Sequence, residues 1–458
     1  MRRQQTGEPV WDVVFDAKGT LTSPARGDLV TELHAEGVAD LFVFSHGWGT
    51  SERSARALYD VVFPLIAARA GEVPGVGPIG FVGLYWPSLW FPESGDATGP
   101  APAGSTQAGG AGVVDVSAGT ASLTGAAIAM ALVPGFADPA DQDAVSEIGR
   151  LIDDGVALGP AESEESRTQR ILRIHEVIRT LAPTPSVGGT FEDAGESALL
   201  GSDDPVQAYQ LAAQAFGSAP PASSTQGLGD WFRNAINGAK DAVRVLSYTI
   251  MKARAGDVGH DGLGPLLAEL HREVPGLTVH LIGHSFGARL VSFALSGVGT
   301  PDESPVGSLL LVQGAFSHWA FAQATDNPFD KAGALNAFAD RVHGPLVSTF
   351  TPFDWAVGVW YPRASFLAQQ DISADVAGRW GGMGTDGFRA VSPVEDKVMP
   401  ALGGTDYGFV PGSFYRVDAR NVINDTTNEP FSGAHSDIGK FPVAELALAA
   451  AAAAASRS

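Results

Sequence analysis

The chain has 458 residues, enough to bury a large core and, by length alone, to form two or three domains. Its 51 acidic against 29 basic residues give a formal charge of −22, which argues against a nucleic-acid-binding face and weakens attraction to anionic membranes. Cysteine is absent, so disulfides, thiolate catalysis and cysteine-ligated zinc or iron–sulfur centres are excluded.

The first residues, MRRQQTGEPVWDVVF, carry two arginines but no apolar stretch or small-residue cleavage site, and read as a mature cytoplasmic start. VWDVVFDAKG (10–19) is an apolar run closed by turn residues, the pattern of a strand. In ADLFVFSHGWG (39–49), the consecutive apolar residues Leu41 to Phe44 suit a strand buried on both faces, as in a parallel sheet. SERSARALYDVVFPLIAARA (51–70) repeats apolar residues at helical spacing, with Ser51 placed to cap it. PIGFVGLYWPS (78–88) is the next buried strand, which completes a strand–helix–strand unit.

Composition changes over 91–228. A Gly/Pro/Ala/Ser/Thr-rich loop (92–120) is followed by helical patches at 141–158, 166–182 and 203–217, separated by further Gly/Pro-rich linkers. The uncharged stretch 116–136 has spanning length. Its first half is mostly Gly, Ser, Thr and Ala, however, and Pro134 breaks its end, so a buried or lid-forming helix is the expectation rather than a stable membrane span. Together these segments read as a helical, lid-like insertion. The αβ rhythm then resumes. A long amphipathic helix (228–256) and a shorter one (263–274) lead to a strand (276–285), a helix (287–298) and a strand (306–316). Further strands lie within 343–358 and 412–423. The expected fold class is α/β, a mostly parallel doubly wound sheet, with residues 1–90 and 229–458 as its core and 91–228 inserted. The closing FPVAELALAAAAAAASRS is helical by propensity, and its end is expected to project or fray.

HLIGHSFGARL (280–290) carries the chemistry. Gly-His-Ser-Phe-Gly stands between a buried strand and a helix, where a tight turn lifts Ser285 Oγ off the sheet edge. Gly283 and Gly287 remove side chains that would strike the adjoining backbone, and the Phe286 N–H lies at the positive end of the new helix. With this context the chain resembles the α/β-hydrolase superfamily (serine esterases and lipases) over roughly residues 10–90 and 230–445, with Ser285 as the nucleophile of its elbow.

The resemblance implies the order nucleophile, acid, histidine. Among ten histidines, His435 in FSGAHSDIG follows the last expected strand, where the family places its base. Asp354, beyond PLVSTF, is the leading acid; Asp302, Asp418 and Asp425 are rivals, and Asp437 is expected to shape its own loop. FVFSHGWGTS supplies the family's His-Gly-X loop, which by that match makes the Trp48 N–H the second oxyanion donor beside Phe286 N–H. Trp48, Trp86, Trp90, Phe286, Trp355, Trp360 and Tyr361 are expected near the carboxyl edge of the sheet, with Trp48 and Trp355 the candidates for an apolar substrate wall; core packing is the commoner fate of such rings. Arg167, Arg170, Arg173 and Arg179 share one insertion helix and suit either lipid headgroups or an ordinary lid. The implied activity is hydrolysis of carboxylic esters through an acyl-enzyme, possible also on lipid acyl chains, with no metal or cofactor. The alternatives are amide or peptide cleavage by the same triad, or a catalytically silent scaffold of the same fold.

Overall fold

In the computed structural model, which describes residues 2–5, 7–88, 124–133, 136, 138–159, 162–181, 250–328, 330–357, 381–427 and 433–454, ten strands form one sheet. In chain order they are β1 (Arg2–Gln5), β2 (Glu8–Phe15), β3 (Leu21–Ser23), β4 (Asp40–Ser45), β5 (Ile79–Tyr85), β6 (Thr278–His284), β7 (Val306–Val312), β8 (Leu346–Phe350), β9 (Val394–Val398) and β10 (Phe414–Asp418). Across the sheet the order is β1-β2-β5-β4-β6-β7-β8-β10-β9, with β3 beside β2. Only the β1–β2 and β2–β3 pairings are antiparallel.

Strict alternation along the strands builds two cores. Leu41 and Val43 of β4, with Leu281 of β6 and Leu309 and Leu311 of β7, enter one apolar cluster. Phe42, Phe44, Ile282 and Leu310 point the other way into a second. Both faces are therefore covered, which is why these strands read as nearly continuous apolar runs. The helices divide accordingly. Helix α1 is Arg26–Glu36 and α2 is Glu52–Ala70. Ser51 Oγ caps α2 by accepting the Ser54 N–H at 3.1 Å, as its position predicts.

Within the expected insertion, α3 (Gly125–Leu132), α4 (Pro139–Leu158) and α5 (Glu164–Leu181) are helical. Helices α3 and α4 touch backbone to backbone at Gly125 and Gly149, where a Cβ on Gly125 would lie 1.9 Å from Gly149 O. Asp153 accepts the Gly125 and Ala126 N–H groups at the start of α3, at 2.5 and 2.8 Å. Of the uncharged stretch 116–136, the described residues include the eight-residue helix α3, and among the described residues no helix is long and apolar enough to cross a membrane. The Ile171–Leu181 stripe is buried in the cluster it shares with one sheet face. Three of the helix's arginines are engaged within the insertion. Arg170 pairs with Glu162, Arg167 Nη2 donates to Glu162 O at 3.2 Å, and Arg173 pairs with Glu147 at 2.8 Å. That is the ordinary packed-helix alternative, with carboxylates answering the guanidinium charges. The expected helix at 203–217, and residues 228–249 of the long helix, lie outside the described residues.

Residues 250–257 are helical and run through a π turn (Val258–Leu263) into α6 (Gly264–Glu273). Helix α7 (Phe286–Ala294) follows β6, α8 (Met383–Asp386) is a single turn, and α9 (Phe441–Ala454) closes the described chain. Helix α9 differs from expectation. Its alanines are packed further along than the expected fraying end suggested, buried at Ala449, Ala450, Ala451 and Ala454, while residues 455–458 at the end of the run lie outside the described residues. The reason is steric: the Ala454 methyl sits against two glycines at the sheet's amino edge, 3.1 and 3.0 Å from where a Cβ on Gly307 and Gly344 would be. Ala450→Leu is therefore expected to destabilise the fold by about 1–3 kcal/mol, read as a lower urea midpoint. An unchanged midpoint would mean that the helix has room to retreat.

Candidate active site

The strand order reverses between β4 and β6. Chain leaving β4 enters α2 in one core, whereas chain leaving β6 enters α7 in the other. Such a divergence opens a crevice at the carboxyl ends of the two strands. His46-Gly47-Trp48 and Ser285 both occupy it, one directly after each strand.

Ser285 has φ 57° and ψ −124°, a conformation that L-residues rarely adopt. Strain of this kind typically amounts to about 1–3 kcal/mol and needs an over-determined surrounding. That surrounding is glycine. A Cβ on Gly283 would lie 2.4 Å from Ala288 Cα, and one on Gly287 would lie 2.2 Å from Ser45 O. On Gly47 it would meet Ser285 Cβ at 2.6 Å and Oγ at 3.1 Å. The glycine loop after β4 therefore lies directly on the serine. Trp48 is the next residue, half-buried, its indole 6.3 Å from the Phe286 ring. Phe286 opens α7, so its N–H lies at the positive end of that helix.

Asp354 and His435 come together. His435 Nδ1–H donates to Asp354 Oδ2 at 2.8 Å, and both residues are at least 98 % buried. Their loops are joined by backbone as well: Ala434 N–H donates to Phe353 O at 2.8 Å, and Asp354 bridges Gly433. The Trp355 ring lies against Gly433, 2.9 Å from where a Cβ there would be, so it packs the histidine loop onto the acid loop. Trp86 stacks on His46 at 5.5 Å and is buried, which places it in the core. Trp90, Trp360 and Tyr361 lie outside the described residues.

The rival acids are placed elsewhere. Asp418, expected in mid-strand, is the last residue of β10 and pairs with Arg420 at 2.7 Å. Asp425 and Asp302 are exposed. Asp437 pairs with Lys440 and accepts the Asn424 and Asp425 N–H groups, both at 2.9 Å. It shapes its own loop, as its position suggests. Among the described residues no group of three or more His, Asp or Glu side chains converges as a metal-ligand set. A cleft of about 570 Å³ opens at the carboxyl ends of β8, β9 and β10. Four of its charged residues pair with each other, Arg416 with Asp396 and Arg389 with Asp386, and its lining contains none of Ser285, Asp354 and His435.

Sequence reasoning passed over Gln313, which follows β7 and is fully buried with φ 48°. Its Nε2–H donates to Asp354 Oδ2 at 2.8 Å. The available signal was a lone amide ending the apolar run VGSLLLVQG. His284, the histidine of Gly-His-Ser-Phe-Gly, donates its Nε2–H to His435 O at 3.0 Å, and its ring lies 4.8 Å from the His435 ring. Burial pushes its imidazole down to about 3, with neighbouring His435 lowering it further. Burial also takes His46 down to about 4, against the opposing effect of its bond to Gly47 O. Both rings are thus neutral at pH 7 and serve as dipolar struts.

The consequence for stability has a definite sign. Unfolded, His284 titrates near 6.5; folded, near 3. Below pH 6.5 the unfolded chain binds a proton that the native state refuses, so stability falls as pH drops through this window. Between pH 6 and 4 the wild type is expected to lose stability more steeply than His284→Asn, by about 1.4 kcal/mol per pH unit in chemical denaturation. Parallel slopes would show that His284 is not held neutral. Comparison with protein-family models, with curated proteins and with solved structures found no match, so the chemistry has to be read from these residues themselves.

Proposed function

We propose that the protein is a serine hydrolase of the α/β-hydrolase type that cleaves carboxylic esters through an acyl-enzyme on Ser285. The observation that carries this reading is the buried 2.8 Å hydrogen bond between Asp354 and His435, set beside a serine on a strained strand-to-helix turn. The sheet order supports it. Nucleophile, acid and base each follow a separate parallel strand, β6, β8 and β10, and these strands are close together in the sheet.

In this mechanism Ser285 Oγ attacks the ester carbonyl while His435 Nε2 takes its proton. Asp354 holds the Nδ1–H tautomer and stabilises the imidazolium that forms. The Phe286 and Trp48 N–H groups receive the oxyanion, a donor typically being worth about 3 kcal/mol of barrier. His435 then protonates the departing alcohol. Water, activated by the same ring, releases the acid and regenerates the serine. Among the described residues no hydrogen bond joins Ser285 Oγ to His435. Catalytic contacts of this kind commonly tighten only around substrate. Half-buried Trp48 offers the reacting carbon an apolar border, which suits an acyl ester, and in this reading α3, α4 and α5, inserted between β5 and β6, serve as its lid.

The burial of Ser285, only 4 % exposed, favours one other reading, a silent scaffold of the same fold. A fluorophosphonate probe separates the two. Labelling of the wild type but not of Ser285→Ala is expected, whereas a well-folded protein that takes no label is a scaffold. Asp354→Asn is expected to fold normally and lose hydrolysis of p-nitrophenyl esters by about 10⁴-fold, because the wrong tautomer then faces the serine. If Asp418→Asn or Asp425→Asn is the inactive variant instead, the acid is misassigned. The dependence of rate on acyl-chain length in that ester series distinguishes short-chain esterase from lipase-like action.

A further inference from the structure

We infer that Gln313 is a positioning residue of the candidate triad: its carboxamide fixes the Asp354 oxygen that His435 uses and draws off part of that oxygen's charge. In its catalytic consequence this rests on the serine-hydrolase reading; the hydrogen-bond arrangement itself does not.

The amide orientation is set by Thr349. Thr349 Oγ accepts the Gln313 backbone N–H at 3.1 Å and donates its proton to Gln313 Oε1 at 2.9 Å. With Oε1 so occupied, Nε2 must face the carboxylate, where it donates to Asp354 Oδ2 at 2.8 Å and to Gly384 O at 3.3 Å. Oδ2 is the same oxygen that receives His435 Nδ1–H, while Oδ1 accepts the Val357 N–H at 2.9 Å. The carboxylate therefore has three donors and no freedom to rotate. Two of them compete for one oxygen, so each weakens the other's share of its charge.

The remaining titratable groups around His435 leave this effect dominant. His284 lies against the ring and is kept neutral by burial, as is His46 beyond it. Asp437, two residues on, is paired with Lys440. Removing the Gln313 donor leaves Asp354 anchored by Val357 and concentrates its charge on the His435 bond. The imidazolium is then favoured, and the ring holds its proton to higher pH.

The test is an NMR titration of the His435 ring in ¹⁵N-histidine-labelled wild type, Gln313→Met and Thr349→Val, with the pH profile of kcat/KM on a p-nitrophenyl ester alongside. Gln313→Met keeps the length and removes the donor. Its His435 midpoint is expected to rise by about half to one pH unit, and the acid limb of kcat/KM to move with it. Thr349→Val, which frees the amide to turn, is expected to shift the midpoint the same way by less. An unchanged or lowered midpoint in a folded Gln313→Met overturns the inference; should that variant not fold, an unchanged midpoint in Thr349→Val does so. A shifted midpoint in a protein whose wild type turns over no ester supports the positioning role and defeats the hydrolase reading instead.

Discussion

Everything at the candidate site depends on one close approach, the glycine loop after β4 lying on the turn after β6. A methyl group on Gly287 would meet the carbonyl of Ser45, and one on Gly47 would meet Ser285 itself. These contacts surround the serine and over-determine a backbone conformation that L-residues rarely adopt. The strain at Ser285 and the close packing of the two turns are thus one event.

The electrostatics follow from burial. Five side chains with polar or ionisable heads, His46, His284, Gln313, Asp354 and His435, lie at the carboxyl edge almost wholly out of water. Such groups are tolerable only when each has its partner. His284 and His46 meet the requirement as neutral rings bonded to backbone carbonyls. Asp354 meets it with three donors. In the proposed mechanism, this hydrogen-bonded carboxylate is a suitable partner for an imidazole that becomes charged only transiently.

The central strands were legible because burial on both faces leaves an apolar run that no helix period can mimic at that length. Their bounds agree closely, as at β4, expected around Leu41–Phe44 and spanning Asp40–Ser45. The outer strands were not. Strand β9 reads Val-Glu-Asp-Lys-Val, and most of it faces solvent at the sheet's edge, where charge discourages further pairing. Its two valines are separated by three charged residues and give no apolar run; the strand exists because β10 offers it hydrogen bonds. The insertion helices show the same limit. Arginines at helical spacing suggested an ordinary packed helix more than a lipid contact, but their partners Glu162 and Glu147 could be seen only in the structure.

What the sequence alone determined is the alternation of buried strands and helices and the glycine-bounded turn at Ser285, since both are written in short-range patterns of size and polarity. It also limited the acid and base to a few named residues. Only the tertiary structure brought Asp354 to His435 across 81 positions, seated Gln313 and His284 around them, and tucked the alanine helix under the sheet. Each of these depends on which strands become neighbours, and neighbourhood is decided by the packing of the whole chain rather than by any segment of it.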